Sequence, residues 1–123
     1  MTHIKNFKQA LIKGEVVFIL TKVSKGGMQR SFKVLYYHKK QFNPIPLDIA
    51  KSVGDGLDKS GDIKIKGCGM DMSFALWLEI VRYFKLNYQE LGQNFKAYIS
   101  FEEFMQCNSH MQEVVNLNNE VAL

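Results

Sequence analysis

The chain has 123 residues, of which 46% are hydrophobic and 23% charged, a composition typical of an ordinary globular protein. It lacks an apolar run near the roughly 20 residues of a membrane helix and lacks a secretory signal layout, so we expect one cytoplasmic domain over residues 1–123 with no membrane partner. The net charge of +4 is unevenly distributed: residues 1–40 have a net charge of +8, residues 41–85 a net charge of zero and residues 86–123 a net charge of −4. Oppositely charged ends of a chain can attract each other.

The first half of the chain predicts a helix followed by a β-hairpin. Apolar residues at helical spacing indicate a helix over residues 3–13, which Gly14 ends. Residues 15–24 and 31–38 are rich in β-branched and aromatic side chains and predict two strands. The glycine pair in the intervening segment, residues 25–30, permits the backbone of a hairpin loop. We therefore expect these two strands to be antiparallel neighbours.

The second half predicts a short helix, a third strand and a long helix. Residues 48–53 read as a helix ended by Gly54, and residues 62–66 alternate apolar with charged side chains, as in a half-buried antiparallel strand. Asp71 is a suitable N-cap for a helix over residues 72–85. Residues 89–94 indicate a turn of helix, and residues 100–103 form a capping box that opens a helix through Cys107.

The helix over residues 72–85 is apolar around most of its circumference, with polar residues on only about a third of it. Such a helix needs cover on two sides, and in a chain of this length a second subunit often provides it. The predicted architecture is therefore α+β, a small antiparallel sheet of three or more strands packed by helices, in an oligomer.

Two segments contain a Gly-Met pair beside polar residues, namely residues 24–31 (S-K-G-G-M-Q-R-S) and residues 67–74 (G-C-G-M-D-M-S-F). If the strand ending at Lys66 pairs with the hairpin, the two segments meet at one sheet edge. A pocket there would combine Arg30, one of two arginines in the chain, with free N–H groups at a helix start, which attract anions. The alternative is structural, with both segments tight turns and Asp71 a cap that satisfies those N–H groups.

These two segments resemble a pattern of short bacteriophage and prophage proteins, which has forms such as S-R-S-G-M-S-R and G-C-G-M-D-M-G-F. Here Lys25 and Gly26 stand where that pattern has Arg and Ser, Gln29 replaces Ser, and Ser73 replaces the last Gly. The resemblance covers about residues 15–85 and leaves the acidic C-terminal part outside.

In size, and in joining an N-terminal sheet to C-terminal helices, the chain also resembles the Thoeris anti-defence sponges of phages. Those proteins are oligomers that sequester cyclic ADP-ribose-type or cyclic nucleotide signals without degrading them. The resemblance implies a phage counter-defence protein in the host cytoplasm, a homo-oligomer that binds a nucleotide second messenger. The expected ligand-binding residues are Gly27, Met28, Arg30, Gly67, Cys68, Gly69, Asp71, Phe84 and Asn94.

Helix length restricts how these residues combine. The twelve residues from Met72 to Phe84 extend about 18 Å along a helix, so Phe84 and the turn at Gly69 cannot hold the same base in one subunit. A site that uses both must bridge two subunits. Packing in the core or at an interface is the alternative role for Phe84.

Residue types suited to catalysis are few and scattered. The histidines His3, His38 and His110 lie in separate segments, and Cys107 with His110 is too small a set for a zinc site or a catalytic triad. Cys68 has no identifiable histidine partner. We expect two free thiols, no enzyme activity, no cofactor and no metal.

Two other function classes remain open. A protein-binding inhibitor of the anti-CRISPR type is one, although a basic chain does not mimic nucleic acid. A nucleic-acid-binding accessory protein is the other, without a helix-turn-helix or RNA-recognition motif to support it. Its phosphate-tracking surface would be made by Lys5, Lys8, Lys13, Lys22, Lys25, Lys33, Lys39 and Lys40.

Overall fold

The computed structural model describes residues 2–67 and 71–107, which form an α+β fold with one five-stranded sheet. No helix within these ranges is long and apolar enough to span a membrane. In chain order the elements are α1 (Thr2–Lys13), β1 (Val16–Val23), β2 (Gln29–His38), β3 (Gln41–Pro44), α2 (Leu47–Ser52), β4 (Ile63–Lys66), α3 (Met72–Tyr83), α4 (Tyr88–Leu91), β5 (Lys96–Tyr98) and α5 (Phe101–Cys107).

The sheet is mixed rather than antiparallel. β1 and β2 form the predicted antiparallel hairpin, with Val16 opposite Tyr36 and Val23 opposite Arg30. β3 and β4 are also antiparallel to β2. β5, however, runs parallel to β1, so the predicted antiparallel arrangement is wrong for this strand, whereas the α+β class with a sheet of three or more strands packed by helices is confirmed. The physical reason is the connection, because a chain that returns through helices on one sheet face re-enters the sheet in the original direction.

β2 has a forked edge. β1 occupies one side of β2 over most of its length, so β3 and β4 share the other side. β4 pairs with residues 29–32 of β2 and β3 pairs with residues 35–38, which leaves residues 33–34 between the two partners. The fork opens a cleft beside the middle of β2.

One face of the sheet, here called the α3 face, carries the main core. The alternate residues Phe32, Val34 and Tyr36 of β2 point to this face, as the two-residue period of a strand requires. Helices α1, α2 and α3 cover it. The largest side chains fully buried there include Phe7, Leu11, Phe18, Tyr36, Ile49, Leu76, Trp77 and Ile80.

Helix α3 begins at the predicted cap, and one chain covers most of its apolar surface. Leu76, Trp77 and Ile80 are fully buried against the core. The Phe95 ring packs against the same core and lies 5.5 Å from the Trp77 ring. Tyr83, near the helix end, is 39% exposed. The chain itself therefore covers the core side of α3, and self-association stays a prediction.

The opposite sheet face, here called the α5 face, is only half covered. Phe104 of α5 is fully buried against Val17, Ile19 and Leu35. The predicted capping box opens α5, because the Ser100 hydroxyl accepts a hydrogen bond of 3.0 Å from the Glu103 N–H. Toward the hairpin loop this face is polar and has no helix among the described residues.

Candidate anion-binding site

Three hydrogen bonds of Ser24 hold the hairpin loop in its conformation. Its hydroxyl accepts the Gln29 N–H at 3.0 Å, its carbonyl accepts the Gly27 N–H at 2.9 Å, and its own N–H donates to the Gln29 carbonyl at 2.8 Å. Gly27 has a φ of +76°, which side-chain-bearing residues rarely adopt. Ser24 and Gly27, the serine and glycine of the first Gly-Met segment, are therefore explained by the loop's own construction.

The two Gly-Met segments meet, as we predicted. The Gly67 N–H donates to the Met28 carbonyl at 3.1 Å, and Gln29 lies opposite Lys66 in the β2–β4 pair. Met28 is 55% exposed at this junction. Cys68 and Gly69 follow Gly67 but lie outside the described residues.

Asp71 caps α3 with its carboxylate. Oδ1 accepts the backbone N–H groups of Ser73 at 3.1 Å and Phe74 at 3.2 Å. The Ser73 hydroxyl lowers the pKa of Asp71 most, and the two N–H groups and the Arg30 charge add to this effect. The free N–H groups that we expected to bind an anion here are thus occupied, which agrees with the structural alternative.

Arg30 lies on β2 between Val23 of β1 and Ile65 of β4, and its side chain is on the α3 face beside Asp71. Its Nε is buried and has no hydrogen-bond partner within residues 2–67 and 71–107. In this part of the chain, Arg30 thus has one donor without an acceptor, while its charge acts on the Asp71 carboxylate.

Phe84 and Asn94 lie away from this junction. The Phe84 ring is 6.0 Å from Phe7 of α1, and the Asn94 amide donates to the Ile12 carbonyl at 3.2 Å. Ile12 is near the start of β1, whereas the hairpin loop follows its end, about 25 Å away for eight residues of strand. The structure therefore brings together Gly27, Met28, Arg30, Gly67 and Asp71 and leaves Phe84 and Asn94 apart within one chain.

A lysine-lined cavity on the α5 face, beside the hairpin loop, was not predicted. It has a volume of about 390 Å³, and we call it the lysine cleft. Lys22 of β1 lies opposite Ser31 of β2, and Ser31 lies opposite Lys64 of β4, so the three form one row across the sheet. The cleft is lined by Lys22, Gln29, Leu57, Asp58, Lys59, Ser60 and Lys64.

A β-bulge brings Lys22 into this row. The β1–β2 register shifts between Leu20 and Lys22, where Thr21 is the extra residue and donates its hydroxyl to the Ser31 carbonyl at 3.1 Å. Without the bulge, the alternation of β1 would place Lys22 on the α3 face with Leu20. The bulge turns it to the α5 face instead, an effect that bulges commonly have near binding sites.

The loop that forms the far wall of the cleft is fixed by Asp58. Its Oδ1 accepts the N–H groups of Ser60 and Asp62, each at 2.9 Å. Burial alone would raise the pKa of Asp58, but these N–H groups, the Ser31 hydroxyl and the Lys22 charge together lower it. Asp58 is therefore a carboxylate already occupied by the protein's own donors.

The fork in β2 forms a second cavity of about 470 Å³, which we call the fork cleft. Its walls are mostly apolar, with Leu47 of α2 at the rim, 58% exposed. Ser60 lines both the fork cleft and the lysine cleft, so the two cavities adjoin at this residue.

Comparisons of the chain with protein-family models, with curated proteins and with solved structures gave no match. Within residues 2–67 and 71–107, no group of three or more His, Cys, Asp or Glu side chains is arranged to hold a metal ion. Cys107 is exposed and free, and Cys68 lies outside the described ranges.

Asp71→Ala is expected to lower the free energy of unfolding by about 1 kcal/mol at pH 7, because the N-cap acceptor is lost. Asp71→Asn should cost less, since an amide oxygen still accepts the two N–H groups. The lowered pKa of Asp71 means that its ionised form stabilises the fold above the ordinary value of 3.8, and that this contribution disappears as pH falls further. Urea unfolding at pH 7 and pH 3 measures both effects, and an unchanged stability of Asp71→Ala at pH 7 would contradict the cap.

Proposed function

We propose that the protein binds a phosphate-bearing, nucleotide-like ligand in the lysine cleft and leaves it chemically unchanged. One observation carries the proposal: Lys22, Lys59 and Lys64 surround one cavity of about 390 Å³. The ion pairs found among residues 2–67 and 71–107 join Lys33 to Asp62 and Arg82 to Glu79, so the three cleft lysines are not neutralised by a contact within 4.0 Å. Ammonium groups in a concave surface concentrate positive potential and attract anions.

Asp58 reduces this potential but does not cancel it. Three lysines and one aspartate line the cleft, and the aspartate's carboxylate already accepts the N–H groups of Ser60 and Asp62. An incoming phosphate therefore meets an excess of positive charge. Each charge-assisted hydrogen bond from a lysine to a phosphate oxygen contributes about 1.5 to 3 kcal/mol.

The size and the polar lining of the cleft suit a small molecule. Its volume of about 390 Å³ lies within the range of about 300 to 1,000 Å³ that ligand pockets occupy. The Gln29 amide and the Ser60 hydroxyl supply donors and acceptors that orient a polar ligand. The hairpin loop borders the cleft through Gln29, so a ligand in the cleft would lie beside the first Gly-Met segment.

The proposal assigns the phosphate contacts to Lys22 and Lys64 rather than to Arg30. Arg30 is on the α3 face, where its charge acts on Asp71, whereas the cleft is on the α5 face. Arg30 thus supports the end of the sheet from the opposite side. The Gly67 contact to Met28 holds the same end of the sheet together.

Binding without turnover fits the side chains of the cleft. Lysines, amides and hydroxyls bind anions, whereas acid-base or nucleophilic catalysis needs a positioned pair of reactive groups. Among the residues that the structure describes, neither a histidine nor a cysteine lines this cavity. A phage counter-defence sponge that sequesters a cyclic nucleotide signal, as the resemblance implies, is our proposed biological use of such a site. Such a role includes a homo-oligomer, which stays a prediction.

The proposal is tested by titration calorimetry with cyclic ADP-ribose isomers, cyclic dinucleotides, ADP and pyrophosphate. Lys22→Ala and Lys64→Ala are each expected to weaken binding about tenfold, the effect of one lost charge-assisted contact. Lys8→Ala, which removes an equal charge from the exposed side of α1, should change the affinity less than twofold. Mass spectrometry of the recovered ligand should show the starting compound.

Two results would overturn the proposal. Absence of binding across the whole panel would remove the ligand class. A chemically altered ligand after incubation would show that the protein is an enzyme.

Nucleic-acid binding is the second candidate, because the lysines continue along the α5 face. Lys33 and Lys66 occupy register positions on the same face of the sheet as Lys22 and Lys64. A nucleic acid that follows this surface neutralises several phosphates, so its affinity falls steeply with salt. A nucleotide held by two lysines has a much smaller salt dependence. Titration of an oligonucleotide at several salt concentrations therefore separates the two candidates.

A further inference from the structure

The fork cleft adjoins the lysine cleft and differs from it in chemistry. Its volume is about 470 Å³, and most of its walls are apolar side chains from β2, the segment after β3, α2 and β4, with His3, Lys33 and Asp62 as its ionisable groups. The apolar side chains are mainly Phe32, Val34, Ile45, Leu47, Ala50 and Ile63. An apolar cavity next to a cationic one suits a ligand with an uncharged ring and an anionic group.

One buried carboxylate stands in the wall of the fork cleft. Asp62 is 8% exposed, and its side chain is 10% exposed. Within the described part of the chain, the contact found for this carboxylate is with the Lys33 ammonium at 4.0 Å, which is beyond hydrogen-bond length. Burying a carboxylate costs free energy unless hydrogen-bond donors satisfy its oxygens. The Asp62 oxygens can therefore accept hydrogen bonds from a ligand that enters the cleft.

A single wall separates the two clefts. Residues 58–62 form this wall, Ser60 lines both cavities, and the Asp58 hydrogen bonds to Ser60 and Asp62 fix its shape. The distance between the Asp62 carboxylate and the lysine row is therefore set by the fold. A ligand with two chemically different ends can contact both cavities across Ser60.

We propose that the fork cleft binds the nucleoside part of the ligand whose phosphates occupy the lysine cleft. Asp62 accepts hydrogen bonds from the N–H or O–H donors of that nucleoside, and Leu47 packs against its ring. This inference rests on the function proposed above, and it adds the place of the nucleoside, which the lysine cleft alone does not explain.

ADP and pyrophosphate test the inference, because they share a diphosphate and only ADP carries a nucleoside. Leu47→Ala should weaken ADP about tenfold, as expected for lost apolar contact in a pocket, and leave pyrophosphate unchanged. Ile99→Ala, which shortens an apolar side chain that is 76% exposed outside the fork cleft, should affect neither ligand. Trp77 fluorescence and circular dichroism verify that each variant is folded.

Asp62→Asn separates hydrogen bonding from charge. Removing the carboxylate frees the Lys33 charge, so pyrophosphate should bind as well as before or more tightly. ADP should instead bind about tenfold more weakly, because the amide is a poorer acceptor for the nucleoside donors. If charge were the sole role of Asp62, both ligands would gain affinity.

The failure of this inference differs from the failure of the proposed function. If ADP affinity falls in Lys22→Ala but is unchanged in Leu47→Ala and Asp62→Asn, the fork cleft is not the nucleoside site and the lysine cleft stands. If neither ADP, pyrophosphate nor any other ligand of the panel binds the unaltered protein, both proposals are overturned.

Discussion

Gly54→Ala is expected to lower the free energy of unfolding by about 3 kcal/mol, from a strained backbone and a steric clash together. Gly54 has a φ of +71°, and a Cβ there would lie 2.6 Å from the Lys64 carbonyl oxygen and 2.7 Å from the Ile63 side chain. The added methyl group would push the chain away from β4. Two hydrogen bonds of 2.8 Å that join Asp55 and Gly56 to Lys64 would weaken as a result.

Gly27→Ala is the matched control for this substitution. Gly27 has a similar φ of +76°, but a Cβ there meets no atom within 4 Å. Its cost should therefore be the backbone strain alone, about 1 to 2 kcal/mol. Urea unfolding followed by Trp77 fluorescence measures both variants, and equal losses would show that the contact with β4 is unimportant.

Phe104→Ala is expected to lower the free energy of unfolding by about 3 to 5 kcal/mol, as is usual for a large aromatic side chain removed from a core. Phe104 is fully buried, and its ring lies 5.1 Å from Tyr98 and 5.3 Å from Phe42. Helix α5 has seven residues, too few to be stable without packing. The variant should therefore release α5 from the sheet.

Denaturant dependence distinguishes release of α5 from a simple cavity. If α5 is already released in the folded Phe104→Ala protein, this variant exposes less new surface on unfolding than the unaltered protein does. Its urea m-value is then lower. Phe101→Ala, at a residue of the same helix that is 40% exposed, should change stability and m-value little. A loss below 1 kcal/mol in Phe104→Ala would contradict the role of α5 as the cover of this face.

Local sequence patterns predicted the helices and strands whose formation depends on residues close to one another in the sequence. The β-rich segments of β1 and β2, the alternation of β4 and the Asp71 cap of α3 correspond to observed elements. The meeting of Met28 and Gly67 followed from them, because antiparallel pairing of β4 with the hairpin brings the two loops to one edge.

The missed strands depend on tertiary pairing. β3 contains Pro44, which cannot donate a backbone hydrogen bond. The segment is a strand only because it pairs with the free edge of β2. β5 has three residues and pairs with a strand distant in sequence. Neither segment has enough alternating residues for a periodic pattern.

The lysine cleft could not be predicted for a related reason. Its row needs Lys22 on the same face as Lys64, and the bulge at Thr21 decides that face. A bulge changes the alternation by one residue, and the sequence of β1 carries no glycine or proline to mark it. Asp58 was not among the predicted site residues, although its hydrogen bonds fix the wall between the two clefts.

The parallel pairing of β5 with β1 affects the protein while it is being synthesised. Lys96 pairs opposite Val17, 79 residues earlier in the chain, so this edge of β1 stays unpaired until β5 has been made. At usual translation rates of about 5 to 20 residues per second, the delay is about 4 to 16 s. The part of β1 whose edge is unpaired during this delay includes residues 16–20, V-V-F-I-L. An uncharged, β-prone sequence of this kind readily pairs with other chains. The three residues of β5 thus close an edge at which nascent copies would otherwise aggregate.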